Sequence, residues 1–495
     1  MLISERTGEM ETILEYIASY AKDDTHKDRY ALIDPAEKLS FSQLFGRMQH
    51  YGGALAHQGV KKGDYVLIRC TQDAAFLTAM FALQLMGAVP VPLEKDAGSV
   101  RIKEISEDTK AVLYLDNREA EVSLKQFRMP GAEDDGEPVF ENLVFPEADD
   151  VSEVLFSTGT TGKSKGIVIA FKNNIALAEN ITEGVKMSRD NVELIPMPLS
   201  HSHGYRRSLA NLYFGNTVII IGGVMAVKLM FNMMEEYRVT AIDLAPTLLS
   251  IIFKLSKDKI GEYKDQLDYI QLGSAPLVEE DKQHLKQLLP HTRLYNFYGS
   301  TEAGCSCILD FQDETIRPHC IGRATKNAKF IFADENKNTV EADEAHPAFL
   351  ATGGAQNMKE YFNAPELTAQ AVKDGFIYTN DLGYIDNEGY IYCLGRQDDV
   401  INFAGVKISP DEIEQEAVKF KGVKDAACVP MPDKTYGQIP KLFVSLQEGC
   451  EDFSVKECTE FLKGLLDANK VPKHIEVIAE IPRTGNGKIQ RKKLL

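Results

Sequence analysis

The sequence predicts an α/β protein, with a large N-terminal unit of several α/β subdomains followed by a small α+β unit. Three observations carry this. Helix-like and strand-like stretches alternate from Ala31 to about Asn180 and again from Asn191 to about Cys307. The composition changes after Arg396 to a compact α+β pattern with several Lys-rich helices. The 495 residues exceed one ordinary core, and length alone gives about three domain-sized units.

In order along the chain, Tyr65 to Arg69 reads as a strand, Asp73 to Met86 as a helix and Ala88 to Pro92 as the next strand. Such alternation implies a parallel sheet covered by helices. The acidic stretch from Met129 to Asp150, containing Pro and Gly, has no period and reads as an exposed connector before a strand at Val154. Further strands are expected at Thr217 to Ile221 and Ala241 to Leu244, then shorter ones to Leu394. The boundary between the two units, 1–396 and 397–495, falls at Gln397 and Asp398, and the chain closes on the basic segment Pro482 to Lys493.

Composition sets limits on function. Hydrophobic residues at 44% and charged residues at 26% fit a globular protein folded throughout. A formal charge of -18 repels nucleic acid and anionic lipid over most of the surface, so any bound anion must be held locally. The longest apolar run, Thr217 to Val227, is far short of the roughly 20 residues that span a bilayer. The N-terminus lacks the pattern of a signal peptide, which makes the cytoplasm the expected compartment. Eight scattered cysteines, without zinc-site spacing, read as reduced thiols.

The most informative stretch is Ser157-Thr158-Gly159-Thr160-Thr161-Gly162-Lys163-Ser164-Lys165-Gly166. Small side chains let backbone amides approach phosphate oxygens, hydroxyls donate, and lysines supply charge. The same composition alone fits a flexible turn equally well. Gly162-Lys163-Ser164 ends as the nucleotide loop of kinases and GTPases ends, but Ser157 stands where that motif needs Gly. The β-branched run Ile167-Val168-Ile169 then reads as a strand rather than a helix, favouring a hairpin-type loop between two strands.

This loop resembles the signature loop of the adenylate-forming superfamily, which includes acyl-CoA synthetases, luciferases and nonribosomal peptide adenylation domains. The family often has Pro where Ser164 stands. Four further segments match in order, and the pattern is nearest the acyl- or aryl-CoA ligases. The resemblance implies that Thr158, Gly159, Thr160, Thr161, Gly162, Lys163 and Lys165 bind the ATP phosphates. In Pro198-Leu199-Ser200-His201-Ser202-His203-Gly204, it implies that His201 lies beside the forming adenylate, whereas His203 has no matching role. The amino-acid-activating members carry Asp where His201 stands, which argues against an α-amino acid.

Gly273, Ser274 and Ala275, with Asn296 and Tyr298, match the adenine site; Thr301 and Glu302 close the acyl pocket, and Glu302 offers hard oxygen to Mg²⁺. Asp381 matches the ribose clamp, because a carboxylate accepts from both vicinal hydroxyls. Asn380 stands where the family has Gly, and Asn tolerates positive φ. Arg396 would bind ribose or phosphate, and Asp398 maps to a hinge about which the small C-terminal unit is mobile. Lys488, in Pro482 to Arg491, maps to the adenylation lysine. After rotation, Asn402 to Lys407 would line a thiol tunnel with Ala404 and Gly405.

The chemistry implied is ATP-dependent activation of a carboxylic acid as its adenylate, then transfer to a thiol. Both the attacking carboxylate and the α-phosphate are anions. A cation at about 4 Å is worth roughly 4 kcal/mol at an effective dielectric of 20, so Mg²⁺ and Lys488 are the natural neutralisers. The expected cofactors are ATP, Mg²⁺ and coenzyme A, or alternatively the phosphopantetheine of an acyl carrier protein. The chain is expected to be a monomer or homodimer. A non-catalytic relative would have lost Lys488, Glu302 or the phosphate loop, and all three are present. The pocket wall of His201, Gly204, Gly273 to Ala275 and Gly304 shows no fixed charge, which points to a neutral aryl or aliphatic tail. Arg206 and Arg207 read as an exposed helix face rather than as partners for a second carboxylate.

Overall fold

The structure, a computed structural model, describes residues 10–119, 122–157, 165–222, 227–275, 277, 279–312, 319–404, 406–450, 452–483 and 488–495. Its centre is a run of parallel strands: Tyr30–Ile33, Thr217–Ile220, Val192–Ile195, Ala241–Leu244, Tyr269–Leu272 and Arg293–Ser300, side by side in that order. These strands are covered on both faces, so they carry near-continuous apolar runs such as Thr217-Val218-Ile219-Ile220. Antiparallel strands extend the sheet beyond Arg293–Ser300, from Gly304–Asp310 to the pair Phe376–Ile385 and Ile391–Arg396 and further.

A second, parallel sheet holds Val89–Leu93, Tyr65–Arg69, Leu113–Leu115 and Gln126–Phe127. The expected alternation holds there. Asp73 caps the helix Ala74–Leu85 by accepting from the Phe76 amide, which satisfies one of the amides left open at a helix start. Val151–Ser157 and Lys165–Ala170 pair antiparallel, so the two strands flanking the phosphate loop form the hairpin expected of them.

Past Arg396 the chain leaves the large sheet. Ile401–Phe403, Val406–Ile408, Val423–Asp433, Gly437–Leu446 and His474–Val477 form their own five-stranded sheet. It has a separate core around Ile413, Val423, Cys428, Leu442 and Leu462. Only two α-helices cover it among the described residues, Pro410–Ala417 and Val455–Lys463, and the first is acidic rather than Lys-rich. The lysines at 419, 421 and 424 follow that helix, where the chain turns into the next strand.

The 129–150 stretch is an exposed connector without strand or α-helix, as expected, tacked down where Phe140, Leu143 and Phe145 pack against the core and where Asp135 pairs with Arg47 at 2.6 Å. One other expectation changes. Asn380 is extended within the strand Phe376–Ile385, so its tolerance of positive φ is not called upon. None of the eight cysteines takes part in a disulfide.

Candidate active site

Three parallel strands deliver site segments from their C-terminal ends, the edge at which open α/β sheets bind ligands. Val192–Ile195 leads into Met197 to His201, Tyr269–Leu272 into Gly273 to Ala275, and Arg293–Ser300 into Thr301 and Glu302. Strand Val192–Ile195 lies between Thr217–Ile220 on one side and Ala241–Leu244 on the other, so chain order reverses there and a crevice opens.

Gln72, which sequence reasoning missed, sets the first of these segments. Its amide donates to Met197 O at 2.8 Å and its carbonyl accepts from the Leu199 amide at 2.8 Å. Gly204 packs so closely that a Cβ there would lie 2.7 Å from Met197 O, which fixes how helix Ser202–Phe214 leaves His201. The imidazole of His201 keeps an open edge. Protein packed about its other side holds it below the usual histidine range; Glu94 opposes that shift and the Lys488 charge adds to it. The C-terminal lysine is therefore within electrostatic reach of His201.

Glu302 lies beside Thr301, whose hydroxyl shares a 3.0 Å hydrogen bond with Ser202. One Glu302 oxygen accepts from Tyr361 Oη at 2.9 Å, and the other has no hydrogen-bond partner among the described residues. Burial, then the Glu302 carboxylate, raises the Tyr361 hydroxyl above its usual range, so it stays a donor. Lys165 Nζ lies 5.7 Å from the Tyr361 ring centre, which brings the last lysine of the phosphate loop to the same place. No cluster of three or more His, Cys, Asp or Glu could hold a metal among the described residues. Glu302 offers a single carboxylate, the kind of hard oxygen that Mg²⁺ takes.

Arg206 and Arg207 correct an expectation. They are 5% and 1% exposed, because helix Ser202–Phe214 is covered by the sheet on one side and by helix Phe171–Gly184 on the other. Arg206 donates to the carbonyls of Ser300 at 3.2 Å and Thr301 at 2.7 Å, holding the turn that carries Glu302. Near it Glu153 is fully buried and accepts from Asn174 and Gln84. Burial pushes its carboxyl up to about 7, against the hydrogen bonds of Ser152 and Asn174 and the Arg206 charge. Arg207 pairs with Glu193 at 2.5 Å and with Tyr269 Oη at 2.8 Å. Removing one partner of a buried pair of this kind costs about 3–5 kcal/mol.

At the other side of the cleft, Asp381 and Arg396 are opposite one another on paired strands. Asp381 accepts from Tyr298 Oη, which joins the expected ribose and adenine residues. Asn296 is buried at the end of the parallel run, and its Oδ1 has no partner among the described residues. His203 bonds to Ser274 at 2.7 Å, so the residue without an expected role also enters the site. Thr158, Gly159, Thr160, Thr161, Gly162, Lys163 and Gly405 lie outside the described residues.

The C-terminal segment is not a solvated tail. Arg483 and Ile489 bridge antiparallel, and Arg491 is anchored to Asp411 at 2.6 Å and Glu414 at 2.8 Å. It also reaches Asp399 at 3.7 Å, while Lys492 lies 3.7 Å from Asp398. Ala404 stands apart from these contacts, at φ 48° in the turn between Phe403 and Val406, its amide donating to Tyr436 O.

The family model for AMP-binding enzymes matches residues 20–362, and that for the AMP-binding enzyme C-terminal domain matches 412–488. The chain is 27% identical over 466 residues to 4-coumarate–CoA ligase 3 of Arabidopsis thaliana, covering 88% of this chain and 82% of that protein. It is 32% identical over 349 residues to 2-succinylbenzoate–CoA ligase of Staphylococcus aureus, covering 70% and 67%. Among solved structures, ATP-bound MatB from Rhodopseudomonas palustris superposes with a TM-score of 0.86 at 22% identity over 98% of both chains. The o-succinylbenzoate CoA synthetase MenE of Bacillus subtilis, with its acyl-adenylate intermediate, gives 0.83 at 23% over 97% of both.

The chain belongs to the AMP-binding enzyme family, within the adenylate-forming superfamily. It is an AMP-forming acid–thiol ligase.

Proposed function

We propose that this ligase forms an acyl-adenylate from ATP and a carboxylic acid in the crevice between His201 and Asp381 and passes the acyl group to coenzyme A. The observation that carries this reading is that Ser202, next to His201, holds Thr301 beside Glu302 through a 3.0 Å hydrogen bond, and the Lys488 charge is among the influences felt at His201. An ammonium there can neutralise both the incoming carboxylate and the α-phosphate. Glu302 and the ATP phosphates would hold Mg²⁺, which supplies further charge neutralisation. Asp381 would accept from the ribose hydroxyls, Tyr298 would stack on adenine, and Arg396 would approach ribose or phosphate. Gly273, Ser274, Ala275 and Asn296 would border the base and acid.

The acyl group then needs a thiol at the same carbonyl. In this reading 1–396 and 397–495 are separate units, hinged at Asp398. Rotation withdraws Lys488 and brings Ala404 and Gly405 in to line the thiol approach. Eight cysteines outside any disulfide suit the reducing cytosol, where ATP and coenzyme A are at hand.

ATP–pyrophosphate exchange over a panel of carboxylic acids tests the first step. Single-turnover transfer to coenzyme A, beside a set of phosphopantetheinylated carrier proteins, tests the acceptor. Exchange with no acid would remove the ligase reading, and transfer to a carrier alone would replace coenzyme A.

A further inference from the structure

Asp243, Gln271, His203 and Ser274 form a polar cluster behind the acid pocket that the roles above do not use. Asp243 and Gln271 face one another across neighbouring strands, and both are fully buried. His203, in the first turn of helix Ser202–Phe214, reaches both: Nε2 lies 2.9 Å from Asp243 Oδ1 and 3.4 Å from Gln271 Nε2. Its Nδ1 lies 2.7 Å from Ser274 Oγ. Gly273 makes room for the ring, since a Cβ there would come within 3.2 Å of His203 Cε1. Ser274 holds φ at 72°, a conformation costly for a residue with a side chain, which sets its hydroxyl at the strand end while the residue stays partly exposed.

A carboxylate only accepts, so His203 Nε2 donates to Asp243 Oδ1. With one proton on the ring, Nδ1 would accept from the Ser274 hydroxyl, which would use the serine's proton and leave Ser274 Oγ an acceptor. Among the described residues Asp243 Oδ2 is a buried acceptor without a partner, and the Gln271 amide lies against the donating His203 Nε2 at 3.4 Å, where its oxygen can accept. Arg207 Nη1 is a buried donor without a partner among the described residues, but Glu193 already matches its charge at 2.5 Å. Ser274 Oγ is the atom of this cluster on a partly exposed residue, and as an acceptor there it would be left unmet by an alkyl or plain aryl tail.

We propose that Ser274 reads a hydrogen-bond donor, a hydroxyl or an amine, on the tail of the acid, with His203 and Asp243 as the positioning residues that fix its polarity. This rests on the acid–thiol ligase reading and names the substrate class for its pocket.

The test is ATP–pyrophosphate exchange by the full chain on matched acids that share one skeleton and differ in a tail hydroxyl, amine, methyl or carboxylate. The hydroxyl or amine acid should exceed the methyl acid in kcat/KM by roughly ten- to a hundredfold, and the two arms tell which donor is read. Ser274→Ala, at a partly exposed position, should collapse that ratio to a few-fold; His203→Gln and Asp243→Asn should lower the same ratio. A preference for the carboxylate acid would mean that the cluster presents a donor instead, and would overturn the proposal. So would a preference for the methyl acid, or an unchanged ratio in Ser274→Ala. Exchange with none of the acids would instead strike the ligase reading itself.

Discussion

Tyr298 Oη donates to Asp381 Oδ2 across 2.5 Å, joining the strand Arg293–Ser300 of the parallel run to the outer strand Phe376–Ile385. Burial and the Asp381 carboxylate hold the tyrosine well above its usual range, so it remains a donor throughout the neutral range. The ring proposed for adenine thus orients the carboxylate proposed for ribose.

Tyr298→Phe keeps the ring and removes that bond. Its KM for ATP should rise about tenfold or somewhat more, the lower end of the worth of one hydrogen bond to a charged group, with kcat little changed. Steady-state kinetics at saturating acid measure it, and an unchanged KM would separate Asp381 from nucleotide binding.

Lys488→Ala should slow adenylate formation by on the order of a hundredfold, as expected for losing a preorganised charge. Given presynthesised acyl-adenylate and thiol, the same variant should form thioester at near the wild-type rate. Lys492→Ala is the control, since its ion pair with Asp398 is exposed on both sides and worth little. Equal loss in both half-reactions would end the rotation account.

Asp398→Pro restricts φ where the chain passes from the strand Ile391–Arg396 to the separate five-stranded sheet. Adenylation should persist while thioester formation slows, as read by single-turnover assays of each step. A normal thioester rate would place the pivot elsewhere.

Glu153 predicts a pH dependence of stability. Its folded carboxyl is raised to about 7 from an ordinary 4.5, so the protonated form is favoured by folding. That contribution is fully present below pH 4.5 and is lost as pH rises through about 7, a change of a few kcal/mol at most. Glu153→Gln cannot titrate, so its melting temperature should fall less than the wild type's between pH 5 and 8. Parallel thermal melts across that range decide it, and identical slopes would mean that Glu153 titrates as an ordinary carboxylate.

Much of this architecture was legible because local signals carry it. The strand at Ala241 to Leu244, the helix capped by Asp73 and the hairpin around the phosphate loop follow from apolar runs, a capping residue and β-branched Ile167 to Ile169. Arg206 and Arg207 were misread because their partners are far away in the chain: Glu193 and Tyr269 for one, and the carbonyls of Ser300 and Thr301 for the other. A signal was present, since these are the only two charges in helix Ser202–Phe214, and a helix otherwise so poor in charge is one that packs on all sides. His203 and Gln72 were silent for a related reason. Their meaning lies in Asp243, Ser274 and Met197, which only the fold brings near.

Arg491 ties the segment bearing Lys488 to the helix Pro410–Ala417, and the turn at Ala404 grows from the same five-stranded sheet that this helix covers. Lysine and turn are thus two ends of one lever. On the proposed pivot, whatever carries Ala404 to the carbonyl must carry Lys488 away, and no posture offers both. Such a part works as an escapement does in a clock. On that proposal it would admit one step per swing, so the thiol would not reach the carbonyl until the charge that made the adenylate had left.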